Sequence, residues 1–333
     1  MLIIESYTVA VVLLFITMLC WGSWANTQKM ATKSWPSQLF YWDYTLGIML
    51  ISFLLGVTIG SSGEEGRSFF EDMGQASSGA LWSAFLGGVV FNLANLLLVA
   101  AIDIAGMAVA FPVGIGIALV VGVLVNYVAF PVGDPVLLFG GVALVTIAIV
   151  LDAKAYRRLS NGGAVSSKGL WISVIAGVLM GFYFRFVADS VATDFANPQE
   201  GLMTPYSAVF IFSIGVFLSS FLWNTFFMYT PLKGEKVRFR EYFTNGSPKL
   251  HLIGILGGII WCFGMSFSMI ASEQAGFAIS YGLGQGATMV AAAWGVFIWK
   301  EFEKAPKGTN KLIYAMFALF IIGLALIVVA RLN

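Results

Sequence analysis

Few residues in this chain are of types that do chemistry, and most of them sit inside long apolar runs. Asp43 lies within Tyr41-Trp42-Asp43-Tyr44-Thr45, and Asp103 and Glu273 each lie two residues before an Ala-Gly step. Arg185 and Asp189 are one helical turn apart, a spacing that lets opposite charges meet. The remaining polar and aromatic groups are Asn92 and Asn95, Tyr183, Trp261, the pair Trp21 and Trp24 beside Gly22, and Tyr281, Gln285 and Thr288 along one helix face. His251 is the only histidine, set in a basic loop, and Cys20 and Cys262 each lie within an apolar run. Nothing here has metal-ligand spacing or a nucleophile beside a base, so no metal, no cofactor and no enzymatic activity are expected. Amides and rings at membrane depth can hold and stack on a small polar solute, and buried acids can carry a proton or gate a path. Trp21, Trp24, Asn92, Asn95, Tyr183, Trp261, Tyr281, Gln285 and Thr288 are therefore the candidate substrate contacts. Asp43, Arg185, Asp189, Asp103 and Glu273 are the candidates for coupling or gating.

A structural role stands beside each of these. Asparagine can glue two helices, tryptophan near a helix end can anchor at the lipid interface, and Arg185 with Asp189 can be a plain ion pair. Asp103 and Glu273, placed in the turns that open the following spans, can cap those helices and face their positive ends. Asp43 has no acidic counterpart in the second half of the chain, where Ile211 stands.

The elements that must position these groups are membrane helices. The chain is 59% hydrophobic and 11% charged, with mean hydropathy +0.88, against roughly 25% charged residues in a soluble domain. A net charge of +1 argues against a nucleic-acid partner. Spans of about 20 apolar residues fall near 6–26, 39–60, 81–102, 105–127, 134–152, 169–189, 205–229, 251–271, 276–298 and 311–331. They are continuously apolar rather than alternating, which disfavours a barrel, and the first reads as a span rather than a cleavable leader. With ten spans, 15 of the 18 Lys and Arg fall in loops on one face, among them Lys29, Lys33, Lys154, Arg157, Lys233 and Lys304. The positive-inside rule puts those loops in the cytoplasm and both termini outside.

The chain also repeats itself. Residues 85–127 superpose without a gap on 255–297, bringing Gly87-Gly88 onto Gly257-Gly258, Asp103 onto Glu273 and Ala105-Gly106 onto Ala275-Gly276. In the second and seventh spans Gly47 falls on Gly215 and Ser52-Phe53-Leu54 on Ser220-Phe221-Leu222. Five spans repeated give halves of opposite orientation: 1–153, a connecting cytoplasmic loop at 154–168, and 169–333. Transporters are often built this way, with substrate held near the midplane where the halves meet. Small residues at spacing four line the fourth and ninth spans, Gly106 to Gly122 and Gly276 to Ala292, either as a sliding seam or as tight packing. Pro112 and Gly114, with Gly282 and Gly284 opposite them, are the expected hinges of interrupted helices.

Several of these segments together resemble the ureide permease family of the drug/metabolite transporter superfamily. The likeness rests on WDYT at 42–45, GGVV at 87–90 with Asn95 behind it, Asn126-Tyr127, PYSA at 205–208, CFG at 262–264, QAGFA at 274–278 and WG at 294–295. It implies two inverted five-helix halves, and transport of small polar nitrogen-rich solutes such as allantoin and nucleobases together with protons. The expected function is a secondary active transporter of a small uncharged polar metabolite, driven by protons or sodium. The main alternative is a monosaccharide carrier, since sister families carry sugars; an exporter, a channel or a membrane enzyme ranks below. The expected setting is a bacterial cell membrane, with the chain a monomer or homodimer.

Overall fold

Backbone N–H and C=O groups in lipid must find partners within the protein, and helices provide them locally. The computed structural model describes all residues except 32–34, 160–165, 233 and 333, and all side chains except those and residues 103, 107 and 108. Of the expected cytoplasmic cations, Lys33 and Lys233 thus lie outside the described residues. Among the described residues the fold is helical, with one isolated β-bridge between Val191 and Met203.

The helices are α1 (Tyr7–Ser23), α2 (Ala25–Ala31), α3 (Ser37–Val57), α4 (Phe69–Gln75), α5 (Ser78–Ala105), α6 (Met107–Ala129), α7 (Pro135–Leu159) and α8 (Ser167–Ser190). They continue with α9 (Pro205–Tyr229), α10 (Arg240–Thr244), α11 (Pro248–Ala275), α12 (Phe277–Gly284), α13 (Ala287–Ala293) and α14 (Thr309–Val329). Nine helices among the described residues are long and apolar enough to cross a bilayer, α1 and α2 counting as one. The ninth expected span, 276–298, is instead α12, α13 and a π turn at Trp294–Ile298. Large apolar side chains such as Trp82, Val128, Trp171 and Phe221 stand exposed, as a lipid-facing surface requires.

Local chemistry explains several boundaries. Ser77 and Ser247 each accept a hydrogen bond from the backbone N–H three residues on, starting α5 and α11. Pro205 and Pro248 occupy first-turn positions where a missing N–H costs nothing. Gly106 (φ 82°) and Gly276 (φ 81°) end α5 and α11, a backbone region that side-chain-bearing residues avoid. These glycines correct the expected place of the two acids. Asp103 and Glu273 lie in the last turns of α5 and α11, and the N-caps of α6 and α12 are the glycines themselves. Neither acid opens the next helix.

The helices cross in matching pairs. α5 lies on α8 and α9, α11 lies on α1 and α3, α7 lies on α14, and α3 meets α9. At the crossings a Cβ on Gly88 would strike the Phe212 carbonyl, and one on Gly258 the Tyr44 carbonyl. Gly47 likewise abuts the Ile255 carbonyl, and Gly215 the Phe85 carbonyl. Each of these contacts superposes on another when the sequence repeats are aligned. Polar groups reinforce the same crossings, as where the Ser52 hydroxyl donates to that of Ser213 at 2.8 Å.

At the end remote from the basic loops, one buried acid ties two loops together. Asp72, with its side chain fully buried, accepts from Arg67 Nε at 2.9 Å and from the Thr204 N–H at 2.7 Å. Arg67 donates onward to the carbonyls of Pro198 and Leu202. Asp72→Ala leaves the guanidinium without this countercharge and the Thr204 N–H without its acceptor, and is expected to cost about 3–5 kcal/mol. A large drop in the melting temperature of the detergent-purified protein checks this, and an unchanged midpoint would contradict it.

Candidate functional site

Rings from five helices meet where α1, α5, α8, α9 and α11 cross. Trp21 of α1 stacks on Trp261 of α11 at 5.9 Å and 17° between planes, and its indole N–H donates to the Trp261 carbonyl at 3.1 Å. Phe212 of α9 stacks on Trp261 with the same separation and tilt. Phe91 of α5 lies 4.4 Å from Trp261 and 5.1 Å from Tyr183 of α8. A second group adjoins it. Trp24 is 4.7 Å from Tyr44, Tyr44 is 5.3 Å from Tyr41, and the Tyr41 hydroxyl accepts from Asn95 at 3.1 Å. Tyr44 is fully buried, and its hydroxyl has no hydrogen-bond partner among the described residues. A narrow cavity of about 40 Å³, lined by Gln28, Gln38, Tyr41 and Leu96 among others, leads toward this group from the basic-loop end.

Trp21, Trp24, Asn95, Tyr183 and Trp261 are thus gathered. Asn92 faces elsewhere: its amide donates to the Val216 carbonyl and the Ser219 and Ser220 hydroxyls, joining α5 to α9. Tyr281 is buried against Gly122, its hydroxyl within 3.1 Å of the Ala118 and Met180 carbonyls. Thr288 donates back to the Gln285 carbonyl at 2.9 Å and stitches the break between α12 and α13. The Gln285 side chain is buried at that break.

The interruption thus falls just beyond Gly282 and Gly284, whereas α6 runs unbroken through Pro112 and Gly114. A proline in a helix removes one bond of the ladder, and at this position the flanking turns hold the helix together.

Arg185 and Asp189 form an ion pair, with the guanidinium 5.0 Å above the Phe130 ring. Glu273 accepts from the Phe195 N–H at 2.6 Å, tying α11 to the loop after α8. The Asp103 side chain lies outside the described residues.

Asp43 is the acid with the most elaborate surroundings. It is buried in the second turn of α3, where it accepts from the Tyr242 hydroxyl at 2.5 Å and lies 2.8 Å from His251 Nδ1. The Tyr242 and His251 rings are 4.7 Å apart, and Trp35 packs on both. Burial, followed by the carboxylate it faces, pushes the Tyr242 phenol well above its ordinary range, so it remains a donor. Neither partner was legible from spacing, since His251 reads as a loop residue and Tyr242 lies in a charged connector. The signals were His251 being the sole histidine and the Pro248 that starts α11 just before it.

The same end is closed by further contacts between α1–α2 and the segment after α13. Trp294 donates to Ser23 and Trp299 to Asn26, and Glu301 takes both Lys29 and the Tyr156 hydroxyl at 2.7 Å.

A bundle of lipid-facing helices with polar and aromatic groups gathered at the inner crossings defines a multi-pass membrane protein. The chain belongs to the ureide permease family, whose family model matches residues 156–330. It is 23% identical to "Ureide permease 1" and 24% to "Ureide permease 2" of Arabidopsis thaliana, in each case over 98% of both chains. A protein of known crystal structure, 16% identical, superposes with a TM-score of 0.60 over 98% of this chain and 99% of its own, a likeness of fold. Membership makes the chain a transporter and not an enzyme. These named relatives come from a plant, and the expectation of a bacterial membrane finds no support in them.

Proposed function

We propose that the chain is a secondary transporter for a small, flat, uncharged, nitrogen-rich solute, a ureide or a nucleobase, held among Trp21, Trp261, Tyr44, Tyr41 and Asn95. The observation that carries this is the buried Tyr44 hydroxyl. Leaving such a group unpartnered costs about 1–3 kcal/mol, and a solute carbonyl or ring nitrogen recovers that cost. The adjoining rings supply faces for stacking. The names of the relatives favour a ureide over a sugar.

In this reading the halves 1–153 and 169–333 are inverted repeats that rock about the site. The paired glycine crossings support it, and so do the two closed ends, one held by Arg67–Asp72 and the other by Trp294, Trp299 and Glu301. Asp43 with His251 holds the coupling proton. The Asp43 carboxyl is the proton site, faced by His251 Nδ1 at 2.8 Å and kept in place by the Tyr242 hydroxyl.

Tyr44→Phe separates this from a structural role. Removing an unpartnered hydroxyl should leave the empty protein as stable or more so, while weakening solute binding about 3–10-fold, the worth of one hydrogen bond. Trp21→Ala should weaken binding with expression unchanged. A thermal-shift screen of purified protein against allantoin, uracil, a nucleoside and monosaccharides makes the test. Stabilisation by allantoin or uracil, reduced in Tyr44→Phe, is the expected result. Stabilisation by monosaccharides alone would replace this reading with the sugar carrier.

A further inference from the structure

A larger cavity lies away from the aromatic site. It is a groove of about 590 Å³ between α6 and α7, in the half of that hairpin away from its turn. Its walls are apolar, formed by Val109, Pro112, Gly116 and Val120 on α6 and Val150 and Ala153 on α7. Thr146 is the one hydroxyl in the lining, and it donates to the Val142 carbonyl of its own helix. A polar solute would gain nothing there. A Cβ built on Gly116 meets no atom within 4 Å, so the groove is open at its middle.

The groove ends in charge. Lys154 and Arg157 complete the lining at the end where the basic loops gather, and both are exposed. From Val109 to Val121 the wall runs ~18 Å at 1.5 Å per residue, close to the ~15 Å of one leaflet. Apolar walls one leaflet deep with cations at headgroup height match one kind of occupant. We infer that the α6–α7 groove binds an anionic glycerophospholipid, with an acyl chain along Gly116 and its phosphate at Lys154 and Arg157. Basic pockets between membrane helices hold acidic headgroups by this combination of attraction and desolvation. Pro112 lies in the wall, so the lipid would brace α6 where its ladder lacks a bond.

Native mass spectrometry of the protein in mild detergent tests this without reference to transport. The probes are phosphatidylglycerol, phosphatidylcholine and inorganic phosphate. The wild type should retain one phosphatidylglycerol under activation that strips phosphatidylcholine, giving an adduct ratio well above one. Gly116→Leu, which fills the groove, and the pair Lys154→Gln with Arg157→Gln should each bring that ratio to one. Lys304→Gln with Lys307→Gln, the same charge change in another basic loop, should leave it high. Equal retention of the two lipids, or equal loss in the Lys304 and Lys307 variant, would overturn the inference. So would phosphate alone displacing the lipid, or a dimer sensitive to Gly116→Leu in place of a lipid adduct. The charge variant decides the matter even if Gly116→Leu fails to fold.

Discussion

Asp43→Asn is expected to abolish solute accumulation against a gradient while leaving exchange of solute for solute. Asparagine has nearly the same shape and still accepts the Tyr242 hydroxyl, so the local packing around α3, α10 and α11 survives. It cannot take up a proton, so the proposed proton site on the Asp43 carboxyl is lost while the His251 imidazole remains. Accumulation should fall to the equilibrium ratio of one, a loss of an order of magnitude or more for a coupled carrier. His251→Gln should move the result in the same direction, because it removes the imidazole 2.8 Å from Asp43. Reconstituted vesicles with an imposed pH gradient measure the first quantity and counterflow the second. Full accumulation in Asp43→Asn would remove this cluster from coupling, and loss of counterflow as well would make it a structural knot.

Gly88→Ala and Gly258→Ala should each destabilise the fold, and by similar amounts. A single methyl at either place strikes a backbone carbonyl of the crossing helix, Phe212 in one case and Tyr44 in the other. Backbone cannot rotate out of the way as a side chain can, so two helices must separate. Overpacking of this kind costs about 1–3 kcal/mol. The two clashes fall on different helix pairs, and the double variant should be less stable than either single one. Melting midpoints and the monodisperse fraction on size exclusion provide the check. Tolerance of one substitution and not the other would argue against equivalent crossings.

Much of the architecture was legible because membrane helices announce themselves by length and apolarity. The glycines at 47, 88, 215 and 258 stood out through the repeat, and their role is close backbone approach. The ninth span was harder. Its composition is that of a helix, and only the local competition at Gln285-Gly286, where Thr288 bonds back to the Gln285 carbonyl, divides it. Asp103 and Glu273 were placed one turn too far along, because an acid beside a turn looks like a cap until the positive φ of the following glycine is known.

The candidate site was legible by residue type more than by arrangement. Trp21 and Trp261 are far apart in sequence and share a stack, whereas Asn92, three residues from Asn95, serves a different interface. Helical spacing tells which residues share a face but not which face meets which. Hence Tyr44 lay unread within the same WDYT segment that singled out Asp43, and His251, 208 residues from Asp43, joined it only through the crossing of α3 and α11.

Uptake of radiolabelled allantoin and uracil into vesicles containing the purified protein, with glucose and rhamnose as comparison solutes, tests the central claim most directly. Saturable, pH-gradient-driven entry of allantoin or uracil, suppressed in Trp21→Ala and Tyr44→Phe and absent for the sugars, is the predicted result. Entry of the sugars alone, or ureide entry indifferent to both substitutions, would contradict it.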